Sequence, residues 1–398
     1  MLTREEVIDS FRLLLKRDPE SDFAIEHHRH YDDVGLLLLD LMKSDEFDVV
    51  RRRGKSRDLT EFALIDRGFE RGGLSIGEIK YAERPLHTVL LNGGSQTGSR
   101  RADLVPVGVE FSTHLMNCND KSEYKKIAQR RLGSLMEHIG PAIGKVFKHG
   151  NSRLAIDFGD HGTQGHISMD RPAGTDWPLM PDLYMLKAAR DPIEQLTKEE
   201  FYDNFVARSL KLFWRGSTTG GTIRSEEDLL ENYRVKCCLL IKEIAGDKAD
   251  CKIARVAQVD AERSKSYEAS LERLGLLGSY VREEEFAKYA MYIDMPGNAA
   301  GWGTCLKYMN GCLILRPPQS RELAYTPLLR PWTHFIPVNP DMSDVGTQID
   351  WVAHNIKDAA DIAWQGYQLI REFLRDTPEY LSRLFSEQNR AHHDLLNH

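Results

Sequence analysis

The sequence predicts an α/β protein with a mainly parallel sheet, preceded by a small helical module. From residue 201 onward, short apolar runs that favour strands alternate with segments of helical periodicity. Residues 1–53 show helical spacing alone. Glycine-rich segments follow two of the strand-like runs, as loops do at the carboxyl ends of parallel strands. A chain of 398 residues has material for two or three domains.

The helical module at residues 1–53 contains two predicted helices. Thr3 is a helix start signal, and apolar residues recur behind it at helical spacing. Asp18-Pro19 ends this first helix, and a second helix is predicted over residues 34–42.

Residues 54–200 and 201–398 are the second and third predicted domains. In the second, strands are predicted at 62–65, 88–91 and 154–158, with a helical stretch at 122–149. In the third, strands are predicted at 211–214, 252–258, 289–294, 312–316 and 333–338. The helices predicted there lie at 225–244, 262–274 and 304–310, and the last sixty residues are helical.

Composition and charge exclude several classes of protein. The net charge is −7 with no extended basic run, so nucleic acid is not the expected partner. No apolar run approaches the roughly 18–20 residues that cross a bilayer, and the N-terminus lacks a signal-peptide pattern. We therefore expect a cytoplasmic protein. Short basic clusters leave a peripheral contact with the inner membrane open.

The cysteine and histidine patterns do not indicate a metal site. The six cysteines form no CxxC pair, so we expect free thiols in a reducing compartment. His27, His28 and His30 are close in sequence but point to different faces of a helix. We expect neither a bound metal nor a resident cofactor.

The segment Phe213–Gly221, which reads Phe-Trp-Arg-Gly-Ser-Thr-Thr-Gly-Gly, predicts an anion site. A buried strand ends in small hydroxylated and glycyl residues, whose backbone N–H groups can approach a phosphate closely. Arg215 and Arg224 would add forked positive charge. The alternative is a glycine-rich surface turn beside a structural arginine. The residues predicted to bind the anion here are Arg215, Gly216, Ser217, Thr218 and Arg224.

A second glycine-rich segment, residues 297–303, precedes a predicted helix. Unpaired N–H groups and the helix dipole at such a place favour an anion. Two such loops in one domain suit a nucleoside diphosphate. The residues predicted to bind the nucleotide here are Gly297, Asn298, Ala299, Ala300, Gly301, Trp302 and Gly303, with Lys307 on the helix and Glu322 beyond it. For Trp302 the alternative to ligand contact is packing under the loop. For Glu322 the alternative is an ordinary surface position.

These motifs together resemble glycosyltransferase family 90, which includes capsule-associated transferases, protein O-glucosyltransferases and lipopolysaccharide-modifying enzymes. The matching pieces are Phe-Trp-Arg-Gly-Ser-Thr-Thr-Gly at 213–220, Ile-Asp-x-x-Gly-Asn at 293–298, Leu-Lys-Tyr-Met at 306–309 and Leu-Leu-Arg-Pro-Trp-Thr-His-Phe-Ile-Pro-Val at 328–338. The first fifty residues resemble a short helical module that is often fused to bacterial enzymes of surface-carbohydrate synthesis.

The resemblance implies a GT-B-like fold, with two Rossmann-like domains facing across a cleft. It implies an inverting, metal-independent transfer from UDP-glucose or UDP-xylose, with residues 201–398 holding the donor and residues 54–200 the acceptor. The family places its base after a strand and before a loop and a Pro-aromatic strand; here Asp160 and residues 180–184 fit that order. Animal members carry an arginine where this chain has Cys305, which leaves donor identity open.

Other polar residues of the second domain are candidates for the acceptor side. They are Asp157, His161, Asp182 and Tyr184. For Asp160 the alternative is an ordinary Asp-x-Gly turn, in which the carboxylate bonds the backbone that follows it. For His161 an exposed loop histidine is the alternative.

The function predicted is transfer of a sugar from a nucleotide sugar to a hydroxyl of a bacterial surface glycan, either lipopolysaccharide or capsule. One alternative is a non-catalytic nucleotide-sugar or glycan-binding protein that retains the fold. A second is a phosphate-transferring enzyme, which would need a divalent metal. The acceptor in this interpretation is a free or a lipid-linked glycan, and residues 1–53 are a candidate surface for a protein partner.

Overall fold

The computed structural model describes part of residues 2–41, strands between 74 and 112, helical positions between 131 and 143, and residues 153–396 apart from 163–165, 191–194 and 260. The chain divides into two compact units, Met1–Phe62 and Ala63–His398. Each unit is described below by itself.

The first unit contains helices α1 (Arg4–Leu15) and α2 (Asp22–His28). Helix α1 confirms the predicted first helix, with Val7 and Phe11 buried. Helix α2, which the sequence analysis did not predict, begins at Ser21, whose hydroxyl accepts a hydrogen bond from the Ala24 N–H. The described positions of the predicted second helix, Val34, Leu37 and Leu41, are helical.

The second unit alternates strands and helices. Its first part contains strands β1 (Leu74–Tyr81), β2 (His87–Gly93), β3 (Gly108–Ser112), β4 (Arg153–Asp157), β5 (Ile167–Ser168) and β6 (Arg171–Pro172), then helices α3 (Leu183–Ala188) and α4 (Lys198–Val206). There follow β7 (Ser209–Ser217), α5 (Glu226–Glu231), α6 (Tyr233–Ala245), β8 (Ala249–Arg255), α7 (Ala261–Arg273), β9 (Tyr289–Ile293) and α8 (Thr304–Met309). The last elements are β10 (Leu313–Arg316), β11 (Arg321–Glu322), β12 (Ile336–Pro337), α9 (Val345–His354), α10 (Ile356–Arg375) and α11 (Thr377–Leu396).

A five-stranded parallel sheet organises the third predicted domain, in the order β12-β10-β9-β7-β8. Residues 212–214 of β7 and all four residues of β10 are buried, because helices cover both faces of the sheet. The predicted parallel α/β architecture is therefore confirmed.

Several predicted boundaries differ from the observed ones. The helix predicted at 225–244 is two helices, since Asn232 leaves the helical conformation and its side chain caps α6. Strand β8 begins at Ala249, three residues before its predicted start, and the strand predicted at 333–338 keeps only Ile336–Pro337. The strand predicted at 62–65 lies outside the described residues.

A second parallel sheet, β3-β4-β5, lies before residue 201. We call the part of this unit before residue 201 its N-terminal half and the part from residue 201 onward its C-terminal half. Strands β1 and β2 form an antiparallel pair. The short strands β6 and β11 also pair antiparallel, Arg171 opposite Glu322, and so connect the N-terminal half to the C-terminal half. The predicted strand in residues 88–91 is confirmed as part of β2.

The Pro-aromatic strand expected over residues 180–184 is wrong. Leu183 begins helix α3, because the carboxylate of Asp182 accepts hydrogen bonds from the N–H groups of Tyr184 (2.7 Å) and Met185 (3.1 Å). An aspartate at this position satisfies orphan donors of the first turn and so fixes a helix start.

Two apolar cores stabilise the second unit. The larger surrounds the five-stranded sheet. The smaller joins Ile156 and Phe158 near β4 to Leu381, Leu384 and Phe385 of α11. The last helix of the chain thus packs in the core of the N-terminal half.

The described cysteines, Cys237, Cys238, Cys251, Cys305 and Cys312, are buried and free. Among the residues with described placement, no helix is both long and apolar enough to span a bilayer.

Candidate active site

The first glycine-rich segment begins within strand β7, which ends at Ser217, and continues as a loop to Gly221. A Cβ atom at Gly216 would lie 2.4 Å from the buried Trp214 ring, so only glycine fits beside this tryptophan. The fully buried Thr218 donates its hydroxyl to the Ala257 carbonyl (3.0 Å) and accepts from the Ala257 N–H (2.9 Å). Thr218 therefore fastens the loop to the end of β8, and its predicted contact with a donor does not fit this burial.

The second glycine-rich segment is anchored on Asp294, at the end of β9. The Asp294 carboxylate accepts from Thr304 (2.7 Å) and from the buried Arg316 (2.7 Å). A Cβ atom at Gly301 would lie 2.5 Å from this carboxylate, so the loop can fold against it only with glycine there. This packing holds residues 297–303 at the carboxyl edge of the sheet, as predicted for a binding loop.

Arg234, which the sequence analysis missed, joins the two loops. Its guanidinium donates to the Ser217 carbonyl (3.0 Å) and the Thr219 hydroxyl (2.7 Å) of the first loop. It also donates to the Met295 and Pro296 carbonyls, which precede the second loop, at 3.0 and 2.9 Å. All of these acceptors are neutral, and burial lowers the Arg234 pKa from its ordinary value. The guanidinium thus places positive charge beneath both loops.

Three backbone N–H groups of the loops, those of Gly220, Gly221 and Ala300, donate within the protein. Gly220 donates to Gln258 and to Asn298, both at 3.0 Å, and Gly221 donates to Gln258 at 3.2 Å. Ala300 donates to the Asp170 carboxylate at 2.8 Å. These three N–H groups are thus engaged within the protein, and anion binding by the two loops stays a prediction.

Asp160 lies where the two halves of the unit meet. It is 8% exposed, and one carboxylate oxygen pairs with Arg131 at 2.8 Å. The other oxygen accepts from the Asn298 side-chain amide at 3.3 Å. The turn after β4 is instead capped by Asp157, whose carboxylate accepts from the Gly159 N–H at 2.7 Å. The carboxylate of Asp160 is thus directed at the second glycine-rich loop, and the simple turn alternative describes Asp157.

Asp170 is a further carboxylate near Asp160, and Asp182 lies near Asp170. Burial raises the pKa of Asp170 to about 6, against the opposing effect of Arg321, which bonds its carboxylate. Burial raises the pKa of Asp182 to about 7, although two backbone N–H groups oppose the shift. Perturbed carboxylates gather at functional sites, and Asp170 stands directly between the two halves. The sequence analysis missed Asp170, which lies in an ordinary Met-Asp-Arg-Pro context.

The remaining predicted donor-side charges have partners within the protein. Arg215 pairs with Asp250 at 2.7 Å and lies over the Phe213 ring, and its described contacts do not include either glycine-rich loop. Lys307 is buried and pairs with Glu283 at 2.5 Å. These pairs neutralise two of the three cations that were expected to face a diphosphate, and Arg224 is the third.

Other predicted residues fall at the edges of the site. Glu322 pairs with Arg171 at 3.0 Å and so connects the halves. The Arg131 guanidinium lies 4.9 Å from the centre of the Trp302 ring. The carbonyl of His161 accepts from Arg321, Tyr184 is half exposed, and the Arg224 side chain is exposed. Ser217 ends β7, Gly303 caps α8, and Ala299 is buried in the second loop.

Gly297 is restricted in the same way as Gly301. A Cβ atom there would lie 2.6 Å from the Thr219 hydroxyl and 2.9 Å from the Arg234 guanidinium. The structure brings together Asp160, Asn298, Trp302 and both glycine-rich loops, but it leaves Arg215 and Arg224 outside this cluster. The Lys307 ammonium lies beside the second loop, 3.8 Å from the position of a Cβ atom at Gly303, but it is paired with Glu283.

Two α/β halves with parallel sheets, meeting at the loops that follow their strands, define a GT-B-like fold. A model of glycosyl transferase family 90 matches residues 176–390, which is more than half of the chain. The chain belongs to glycosyl transferase family 90.

Curated relatives match shorter stretches. Human protein O-glucosyltransferase 1 is 30% identical over 137 residues, which are 33% of this chain and 35% of that protein. Human protein O-glucosyltransferase 3 is 24% identical over 108 residues, 27% of this chain and 20% of that protein. Uncharacterized protein 035R of Invertebrate iridescent virus 3 is 29% identical over 121 residues, 28% of this chain and 11% of that protein. The matched segments thus span about a third or less of these relatives.

Solved structures show distant likeness. HepE from Anabaena, in complex with UDP-glucose, has a TM-score of 0.34 and 9% identity, covering 66% of this chain and 77% of that one. WaaG, a glycosyltransferase of lipopolysaccharide biosynthesis, has a TM-score of 0.30 and 11% identity, covering 73% and 89%. Likeness at this level assigns no residue.

Proposed function

We propose that this protein transfers a glycosyl group from a nucleoside-diphosphate sugar to a hydroxyl group of a glycan, with Asp160 as the general base. Family membership supports glycosyl transfer. The observation that carries the site assignment is the Asp160 carboxylate, held within 3.3 Å of Asn298 in the second glycine-rich loop. A base must lie within reach of the hydroxyl it deprotonates, next to the bound donor.

In the proposed reaction, the acceptor oxygen forms a bond to the anomeric carbon on the face opposite the diphosphate. The bond between that carbon and the diphosphate oxygen breaks, and the nucleoside diphosphate leaves with the electron pair. The acceptor proton passes to Asp160. The configuration at the anomeric carbon inverts.

Arg234 is the proposed source of charge stabilisation for the departing diphosphate. It is fixed by four hydrogen bonds to neutral groups, two in the first loop and two in the residues just before the second, so its charge is oriented before the reaction begins. Preorganised charge of this kind lowers a barrier without reorganisation. It replaces Arg215 and Lys307 in this role, because their charges are paired with carboxylates.

The donor and acceptor are proposed at a finer level. UDP-glucose is the first donor to test, since two matched relatives are named O-glucosyltransferases, and UDP-xylose is the second. The acceptor that we propose is a bacterial surface glycan, either lipopolysaccharide or capsule, free or lipid-linked. A cytoplasmic location, a peripheral membrane contact, a partner for residues 1–53 and independence from metal belong to the same proposal.

Calorimetry with UDP, UDP-glucose, UDP-xylose and GDP-mannose, with and without EDTA, tests the donor pocket. We expect saturable binding of one nucleotide in the presence of EDTA. Arg234→Met should weaken it about 10-fold or more, because a charge-assisted contact is worth about 1.5–3 kcal/mol. Arg224→Met, in which an exposed arginine is changed, is the matched control. No binding of any nucleotide would reject the transferase proposal.

The rate of UDP release tests whether Asp160 is the general base. UDP release from the bound donor should fall about 10²-fold or more in Asp160→Asn, with donor affinity retained. Asp176→Asn, which changes an aspartate outside the described cluster, is the control. Binding without any turnover, and no effect of Asp160→Asn, would favour the non-catalytic binding protein.

A further inference from the structure

Side-chain amides connect the first glycine-rich loop to Asp160. The Gln258 carbonyl oxygen accepts from the N–H groups of Gly220 (3.0 Å) and Gly221 (3.2 Å). The Gln258 amide nitrogen donates to the Asn298 carbonyl oxygen at 2.9 Å. The Asn298 amide nitrogen donates to the Asp160 carboxylate at 3.3 Å. We call this series, from Gly220 through Gln258 and Asn298 to Asp160, the amide relay.

The two ends of the amide relay determine its direction. A backbone N–H can only donate, and an ionised carboxylate can only accept. Gln258 must therefore turn its oxygen to the glycines, and Asn298 must turn its nitrogen to Asp160. Hydrogen bonds that run in one direction polarise and strengthen one another. Rotating the Gln258 amide by half a turn would place its NH2 group against the glycine N–H groups. Rotating the Asn298 amide would place its oxygen against the Asp160 carboxylate. Only one orientation of each amide therefore satisfies the relay.

The second oxygen of Asp160 leads to the same loop by another path. Arg131 pairs with that oxygen at 2.8 Å, and its guanidinium lies against the Trp302 ring. Trp302 and Asn298 both belong to the second glycine-rich segment. The orientation of the Asp160 carboxylate is thus defined by contacts that depend on the placement of this loop.

The backbone of Gln258 provides an independent observation. Its φ is 61°, in the left-handed region that non-glycine residues rarely adopt. Its carbonyl accepts from the Ile223 N–H at 3.0 Å, while its side chain holds Gly220 and Gly221. Residues in strained backbone conformations persist where contacts with the surrounding structure hold them there, and they are more frequent at functional sites.

We propose that Gln258 and Asn298 are positioning residues, which align the Asp160 carboxylate with the loops that hold the donor. This inference rests on the proposed function, because it assumes that Asp160 is the base. Neither amide can accept the acceptor proton at neutral pH, so both act through Asp160. A donor that fixes the positions of the two loops would also fix the orientation of the Asp160 carboxylate. Donor binding would thereby prepare the site for the acceptor.

Gln258→Gly is the sharpest variant. Glycine adopts a φ of 61° without strain, so this change keeps the backbone conformation and removes only the amide side chain. Asn298→Ala removes the next link. We expect kcat for UDP release from UDP-glucose to fall about 10²-fold in Asn298→Ala, since small misplacement of a reacting group costs that much. The dissociation constant for UDP should change less than about threefold, because neither amide carries charge.

Asn339→Ala is the matched control, since that asparagine donates its amide to Ser343 in an exposed turn. It should leave kcat and UDP affinity unchanged. A kcat for Asn298→Ala and Gln258→Gly within threefold of the wild-type value would overturn the proposal. A large loss of UDP affinity at constant kcat would also overturn it, because the amides would then stabilise the donor-binding loops without positioning Asp160.

Hydrogen exchange separates this inference from the proposed function. If the wild-type protein neither binds UDP nor releases it from UDP-glucose, the proposed function fails, and exchange alone then decides whether the relay couples the two halves. Asn298→Ala should accelerate amide exchange in residues 219–222 and in residues 157–162 together. Faster exchange in residues 219–222 alone would show that the relay stops at the loop and would reject the coupling to Asp160.

Discussion

Thr218 and Asp182 show how a polar residue near the site serves the fold. The Thr218 hydroxyl both donates to and accepts from the Ala257 backbone, and no part of the residue is exposed. One Asp182 oxygen caps α3, and the second is buried without a hydrogen-bond partner in the described residues. Leaving a buried polar group without a partner costs free energy, so these residues have measurable effects on stability.

Thr218→Val should lower the free energy of unfolding by about 1–3 kcal/mol. Valine has the same shape, but it leaves the N–H and the carbonyl of Ala257 without their hydroxyl partner. Urea unfolding measures the change, and Thr333→Val, at an exposed position, is the control. Equal stability of the two variants would contradict the prediction.

Asp182→Asn should change how stability depends on pH. The folded protein holds the Asp182 proton up to a pKa of about 7, while the unfolded chain releases it near its ordinary value of 3.8. Between these values the folded state is therefore progressively destabilised as pH rises. Asparagine still caps the helix but does not titrate. The difference in unfolding free energy, variant minus wild type, should therefore increase by about 1–4 kcal/mol from pH 4 to pH 8.

Urea titrations of both proteins at pH 4, 6 and 8 provide the measurement. A difference between variant and wild type that stays constant over this range would show that the Asp182 carboxyl is not the titrating group.

At the scale of elements, strand β7 and its loop depend on one glycine. The strand needs a large buried residue at Trp214 to fill the core, and the ring then occupies the space beside Gly216. The loop at residues 297–303 has the same dependence at Gly297 and Gly301. Glycine at positions 216, 297 and 301 is thus explained by close packing of the protein itself, whereas the sequence analysis explained it by approach of a ligand.

Gly216→Ala should destabilise the protein by about 1–3 kcal/mol, because the new methyl group would meet the Trp214 ring at 2.4 Å and force it to move. Gly221→Ala is the matched control, since a methyl group there has open space. Thermal unfolding compares the two. A Gly216→Ala variant as stable as Gly221→Ala would show that Trp214 can repack freely.

At the scale of the whole molecule, helix α11 connects the end of the chain to the N-terminal half. Phe385 is fully buried in the smaller core, with Ile156 and Phe158. Phe205 is fully buried in the larger core. The two cores therefore offer a matched pair of truncations.

Phe385→Ala should cost about 3–5 kcal/mol and should accelerate amide exchange first in β4. Phe205→Ala should cost a similar amount but should accelerate exchange in β9 and β10 instead. Hydrogen exchange measured by mass spectrometry distinguishes the patterns. Identical patterns for both variants would show that the two cores unfold as one.

The sequence by itself determined the parallel α/β class, the position of both glycine-rich segments and the family, because periodicity and local motifs are encoded in neighbouring residues. The resemblance to the family also indicated Asp160, through its place after a strand and before residues 180–184. Only the tertiary structure decided which charges face the site, since Arg215 and Lys307 meet Asp250 and Glu283 from distant segments while Arg234 remains paired with neutral groups. The amide relay and the return of α11 likewise depend on contacts between residues far apart in the chain, which no local pattern specifies.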